Sequence, residues 1–165
     1  MSGDFADAYD EQVGNVYGFF AYRVSSREDA EDLTQQTFER ALRAWSRFDP
    51  ERAPLGVWLM TIARNLLVDH YRANDAARRQ PLDEVAEVRL GSEGLDPDLG
   101  LDPDLAEALA TLSPRERELI ALRFGADLTG PEIAELTELS LPNVQQILSR
   151  SLRRLRAALE ERARN

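Results

Sequence analysis

At 165 residues and a net charge of −10, the chain has room for one domain or two small ones, and it is too acidic to hold duplex DNA tightly by itself. It has no cysteine and one histidine, His70, which excludes disulfide frameworks and thiolate metal sites and leaves almost no material for a histidine-based catalytic or metal cluster. No basic region followed by an apolar run opens the chain, and no stretch approaches ~18 apolar residues, so neither a leader nor membrane insertion is expected and a cytoplasmic protein is read.

From Asp4 to Arg23, Phe5, Tyr9, Val13, Val16 and Phe20 fall at steps of three and four, the mark of a helix with an aromatic-rich buried edge. Ser26 and Asp29 stand in capping-box register for a second helix, which runs to about Phe48 and buries Leu33, Phe38, Ala41, Leu42 and Trp45. Its acidic first turn (Glu28, Asp29, Glu31, Asp32) suits the helix dipole. Asp32, Gln35 and Glu39 share one outer side, a polar strip available to a partner.

Asp49-Pro50 ends that helix, and a third is expected from about Leu55 to Ala73 with Trp58, Leu59, Ile62, Leu66 and Leu67 inside. Its outer side carries Arg64, Asn65, Asp69 and Arg72, either a solvated face or a nucleic-acid surface. His70 reads as a structural or surface residue, since no partner ligands stand nearby. Between about Asn74 and Asp104 the periodicity stops, and Pro81, Gly91, Gly94, Pro97, Gly100 and Pro103 punctuate an acidic stretch read as a flexible linker. Within it Leu95–Leu99 recurs as Leu101–Leu105, one recurrence and so no solenoid.

Leu105, Leu109 and Leu112 restart helical order. Ser113, Pro114 and Glu116 form a second capping signal, followed by Leu119, Ile120, Leu122 and Phe124 as buried positions, with Gly125 as the stop. Thr129 and Glu132 open a short helix, Leu139-Ser140 makes a turn, and Ser140 or Asn143 can cap the helix that follows. There Val144, Leu148, Leu152, Leu155 and Leu159 share one face, opposite Gln146, Ser149, Arg150 and Arg153, with Asn143 at the start. This is a helix-turn-helix pattern whose outer face of amides, hydroxyls and guanidinium groups suits a major groove. An ordinary amphipathic hairpin would show much the same pattern.

The charge is unevenly placed. Residues 1–73 carry 12 acids and 8 arginines (net −4), residues 74–110 carry 10 and 3 (net −7), and residues 111–165 carry 8 and 9 (net +1). All 20 basic residues are arginine, which a GC-rich genome accounts for as well as any function does.

In this order and over nearly the whole chain, these segments resemble an RNA polymerase sigma factor of the extracytoplasmic-function (ECF) group in the sigma-70 family. Asp29 to Phe38 (DAEDLTQQTF) is similar to the region 2.2 signature. Ala53 to Arg72 is similar to regions 2.3 and 2.4, and Leu112–Glu118, Glu132–Glu135 and Ser149-Arg150 to region 4. The resemblance implies an all-α fold of two small helical domains joined by an acidic linker: residues 1–73, 74–104 and 105–165. It implies that Asp29, Asp32, Gln35, Gln36, Phe38 and Glu39 dock on the polymerase clamp helices. It further implies that Arg64, Asn65, Asp69 and Arg72 open and read the −10 element, and that Asn143, Gln145, Gln146, Ser149, Arg150 and Arg153 face the −35 element. The partners implied are core RNA polymerase (clamp helices and flap), promoter DNA and an anti-sigma factor, with no cofactor, no metal and no enzymatic activity.

The departures fall on the helix-turn-helix. Glu138 and Pro142 stand where small residues or glycine are usual, and Gln145 and Ile147 where the family places basic residues. The alternative reading is therefore a sigma-like interaction protein that holds polymerase or a regulator without productive promoter recognition.

Overall fold

A computed structural model describes residues 4–78 and 99–165. Most of the segment read as a linker, 79–98, lies outside the described residues. Among the described residues the secondary structure is helical, in the order α1 (Phe5–Ala21), α2 (Arg27–Arg43), a 3-10 turn (Trp45–Arg47), α3 (Leu55–Arg78), α4 (Pro103–Ala110), α5 (Pro114–Ile120), a π-helical turn (Ala121–Gly125), α6 (Gly130–Thr137) and α7 (Leu141–Arg164).

Local side-chain chemistry places the starts. Ser26 Oγ accepts from the Asp29 amide at 3.1 Å to begin α2. Ser113 with Glu116, and Thr129 with Glu132, form complete reciprocal capping boxes for α5 and α6. Of the two candidates for α7, Ser140 is the cap, accepting from the Asn143 amide at 3.2 Å. The turn before it holds Glu138 at φ 60°, ψ 28°, a left-handed conformation that glycine adopts without a Cβ penalty.

Several positions differ from the periodic reading. Helix α2 ends at Arg43 rather than Phe48, because Trp45 turns away to stack on Phe48 (5.4 Å) and edge against Phe5 (5.3 Å). Leu42 and Tyr9, expected inside, are 56% and 42% exposed on the rim of a groove between α1 and α2. Helix α3 continues to Arg78, five residues beyond the expected end. Phe124, also expected inside, is exposed, since the π turn adds a residue per turn and rotates it outward. On α7 the buried positions are Val144, Ile147, Ser151 and Leu155, while Leu152 is exposed and Leu148 and Leu159 are partly buried. Ser151 is tolerated inside because its hydroxyl donates to the Ile147 carbonyl at 2.6 Å. Ile147, read as a lost cation on the outer face, is instead a core residue.

The main core is shared by both halves. Val16, Phe19 and Phe20 of α1 join Leu33, Phe38, Leu59 and Leu66 from α2 and α3, and the same cluster takes in Leu119, Leu122, Leu128, Ile133 and Val144. A smaller cluster of Leu109, Leu112, Ile120 and Leu155 lies within the C-terminal half. The halves come closest where α1 meets the π turn. Gly18 and Gly125 stack backbone to backbone, and a Cβ on Gly125 would sit 2.6 Å from the Gly18 carbonyl oxygen. Leu99, at the end of the expected linker, is buried at 1% exposure, and its carbonyl accepts from the Tyr17 hydroxyl at 2.7 Å.

Candidate docking and nucleic-acid surfaces

The first surface is the outer side of α2. Its inner side, Ala30, Leu33, Thr37, Phe38 and Ala41, is buried, which by the helix period leaves Asp32, Gln35, Gln36 and Glu39 exposed. Buried hydroxyls on the inner side are satisfied locally, Thr34 donating to the Ala30 carbonyl and Thr37 to that of Leu33, each at 2.7 Å. Phe38 does not reach the surface with the polar strip. It is 5% exposed, packs edge-on to Tyr9 at 4.8 Å, and forms the wall of the α1–α2 groove, about 640 Å³, on whose rim Gln35 and Glu39 stand. Asp29 lies at the other end, half-exposed and 3.9 Å from His70 Nε2. A strip of amides and carboxylates bordering an aromatic-walled groove can hold a partner helix that carries cations and one apolar edge.

The second surface is on α3, where Asn65, Asp69 and Arg72 are exposed. Arg64, from the same set, is turned into the contact between the halves. Its Nε donates to Glu118 Oε2 at 3.1 Å, and Nη1 donates to the Leu136 carbonyl, also at 3.1 Å. Both charged side chains are mostly covered, 27% and 18% exposed. Leu136 lies in the last turn of α6, where carbonyls lack helical partners and the dipole favours a cation. Beside it Arg117 Nε donates to the Tyr22 carbonyl at 2.8 Å, and the Tyr71 hydroxyl donates to the Arg23 carbonyl at 2.6 Å. Burial holds the Arg117 guanidinium below its ordinary value, with Arg23 adding repulsion and Tyr71 opposing both. Arg23 lies over the Tyr71 ring, 5.8 Å from its centre. None of Gly18, Arg117, Glu118 or Gly125 was marked by the sequence as part of a site. Gly125 was read only as a helix stop, Arg117 and Glu118 only as part of the Leu112–Glu118 resemblance to region 4, and Gly18 only as a glycine inside a helix.

The third surface is the outer face of α7. Asn143, Gln145, Gln146, Ser149, Arg150 and Arg153 are all exposed, as the period demands once Val144, Ile147 and Ser151 are inside. Arg153 donates to Ser149 Oγ at 3.2 Å, which leaves both at the surface. Arg150 is tied more firmly. Glu116, at 4% exposure, receives Arg150 Nε at 3.4 Å and Arg154 Nη1 at 3.2 Å while its carboxylate also caps the Ser113 amide at 3.0 Å. These hydrogen bonds, the Ser113 amide first and then the two cations, hold the Glu116 carboxyl below its usual value although burial opposes them. Glu116 therefore sets the direction of two arginines on the helix.

A fourth feature lies behind α7. Phe124 and Leu152, 48% and 41% exposed, border an apolar groove of about 480 Å³ floored by Ile120, Leu155 and Leu159. Among the described residues no group of three or more His, Asp or Glu side chains converges as metal ligands would. Nor is any described helix long and apolar enough to cross a membrane.

Comparison with known proteins matches two family descriptions in order along the chain, Sigma-70 region 2 over residues 8–77 and Sigma-70, region 4 over residues 108–157. The ECF RNA polymerase sigma factor RpoE of Cereibacter sphaeroides is 31% identical, the match covering 92% of this chain and 84% of that protein. The ECF RNA polymerase sigma factor BldN of Streptomyces coelicolor is 32% identical over 97% of this chain, which spans 62% of that protein's length. The fold is also that of the sigma factor RpoE of Bartonella quintana, solved with the anti-sigma factor NepR, at a TM-score of 0.71 and 24% identity over 95% of this chain and 97% of that one.

Proposed function

The chain belongs to the ECF sigma factors of the sigma-70 family, and from that membership we propose that it binds core RNA polymerase and directs promoter-specific initiation of transcription. The observation that carries this is the presence of both regions, 2 and 4, in order on one chain. The work is divided among surfaces that differ in chemistry. Asp32, Gln35, Gln36 and Glu39, with Asp29 at one end and the Phe38-walled groove beside them, take the polymerase clamp helices. Arg64, Asn65, Asp69 and Arg72 receive the −10 element as an unpaired strand, read by amide and guanidinium contacts rather than through a groove.

The exposed face of α7 from Asn143 to Arg153 lies against the −35 element, where Gln146 is able to pair with adenine and Arg150 with phosphate or guanine. The apolar groove bordered by Phe124 and Leu152 suits the polymerase flap. The protein performs no chemistry of its own and works in the cytoplasm, where polymerase supplies the affinity that a chain of net charge −10 lacks. An anti-sigma factor, like the one bound in the Bartonella structure, is the partner expected to hold it inactive.

Run-off transcription with core polymerase and genomic promoter fragments tests the reading. Specific transcripts are expected, and a chain that binds core yet never yields them would overturn it. Changing Asp32 and Gln35 together to alanine is expected to weaken core binding by about tenfold with the helical content kept, and unchanged binding would remove α2 as the docking face.

A further inference from the structure

We infer that Glu116 is a positioning residue for the −35 reader: by holding the guanidinium groups of Arg150 and Arg154 on one carboxylate, it makes them a fixed pair of DNA phosphate contacts beside the reading face of α7. This role rests on the reading of α7 as the −35 face, and it adds Arg154 to that face. Three observations carry it. First, the arginines are more than the helix cap requires. Glu116 Oε1 accepts from the Ser113 amide at 3.0 Å and Ser113 Oγ accepts from the Glu116 amide at 3.2 Å, a box complete without any cation. Thr129 and Glu132 build the same box at the start of α6, and there the carboxylate takes no arginine among the described residues. At Glu116 the second oxygen, Oε2, accepts from Arg150 Nε at 3.4 Å, while Arg154 Nη1 donates to Oε1 at 3.2 Å.

Second, the carboxylate is buried and the cations are not. Glu116 lies too deep to touch DNA, whereas the Arg150 and Arg154 side chains are about half exposed. Whatever Glu116 does for DNA, it does through the two arginines. Its hydrogen bonds hold the carboxyl below its ordinary value, so at neutral pH it is ionised and keeps its hold on both.

Third, the pair stands where phosphate contacts would set the register of the base readers. Arg150 and Arg154 follow Asn143 at steps of seven and four, so the three share one exposed strip of α7, with Gln146 beside it. Phosphate contacts fix how a reading helix sits, and amides such as Gln145 and Gln146 can then meet the base edges they select. A free arginine must surrender many rotamers to make such a contact, and a guanidinium already held by a buried carboxylate surrenders fewer. Each arginine gives Glu116 one nitrogen, which leaves the rest of its fork for DNA.

The test uses the full chain assembled with core polymerase, and a duplex that the parent assembly selects from a random pool. Fluorescence anisotropy compares affinity for that duplex with affinity for the same duplex carrying a scrambled −35 segment. Glu116→Gln keeps the shape and the cap and removes the charge, so the ratio of the two affinities is expected to fall on the order of tenfold. Affinity for the scrambled duplex is expected to hold or to rise, because the region beside the DNA loses a negative charge. In a chain that carries Arg150→Ala and Arg154→Ala, adding Glu116→Gln is expected to change the ratio no further. Arg154→Ala alone, at an exposed position, is expected to reduce the salt slope by about one, and it decides the matter if Glu116→Gln loses helical content.

An unchanged ratio in Glu116→Gln overturns the proposal. So does a fall in both affinities together, which is what a merely loosened fold would give. An effect that persists undiminished without the two arginines, or an Arg154→Ala slope equal to the parent's, overturns it as well. Each of these failures is separable from failure of the proposed function, since each is read against a parent that discriminates. A parent assembly that selects no −35 element overturns both.

Discussion

Glu116 offers the sharpest test of how α5 and α7 are held together. Its carboxylate caps the Ser113 amide and receives Arg150 and Arg154, all while 4% exposed. Replacing it with alanine removes three kinds of contribution. The capping interaction is worth ~1 kcal/mol. The two ion pairs end on arginine side chains 48% and 56% exposed, so solvent screening limits each to ~0.2–1 kcal/mol. The lost buried methylene adds ~0.8 kcal/mol. Together Glu116→Ala is expected to cost about 2–4 kcal/mol, which at this chain length lowers Tm by roughly 4–15 °C.

Glu116→Gln keeps the packing and an acceptor for the Ser113 amide, so only the charge-dependent part is lost, about 0.5–1 kcal/mol or roughly 1–4 °C. Thermal unfolding followed by circular dichroism measures both. The pH dependence fixes the sign. Because the folded protein holds the Glu116 carboxyl below its unfolded value of ~4.3, its stabilising contribution is complete above that value and is lost as pH falls through the folded one. The gap in Tm between the parent and Glu116→Gln must therefore be present at neutral pH and close in acid. A gap that persists or widens in acid would refute the charge argument, and an alanine variant as stable as the parent would refute the cap.

Two further substitutions probe the helix-turn-helix. Glu138 pays the left-handed cost of ~1–2 kcal/mol at φ 60°, so Glu138→Gly is expected to stabilise the chain by a net ~0.5–1 kcal/mol after glycine's own entropy, read as a rise in Tm; an unchanged or lower Tm would show that the turn is not strained. Arg150→Ala is expected to weaken promoter binding by the polymerase complex and to reduce its salt slope by about one. Glu116 engages only Nε of Arg150, and the side chain is 48% exposed, so the rest of the fork remains free for phosphate. A slope that does not move would take Arg150 out of the DNA contact.

What was legible in the sequence was what is local. The capping boxes at Ser113 and Thr129 fix two helix starts through contacts three residues apart, and both were read correctly. The exposed strips on α2 and α7 followed from the helix period. The misreadings come from packing between elements and from local departures that hydropathy does not mark. Leu42 and Tyr9 satisfy the helical period, yet they border a groove that only the packing of α1 on α2 creates. The buried stripe of α7 contains a serine, Ser151, whose hydroxyl is quenched by its own helix, and no hydropathy pattern marks that position as internal. Phe124 follows the α period to the core, but a π turn, which no residue in ALRFG announces, rotates it out. Arg64 has the composition of a surface cation, and its burial depends on Glu118, 54 residues away.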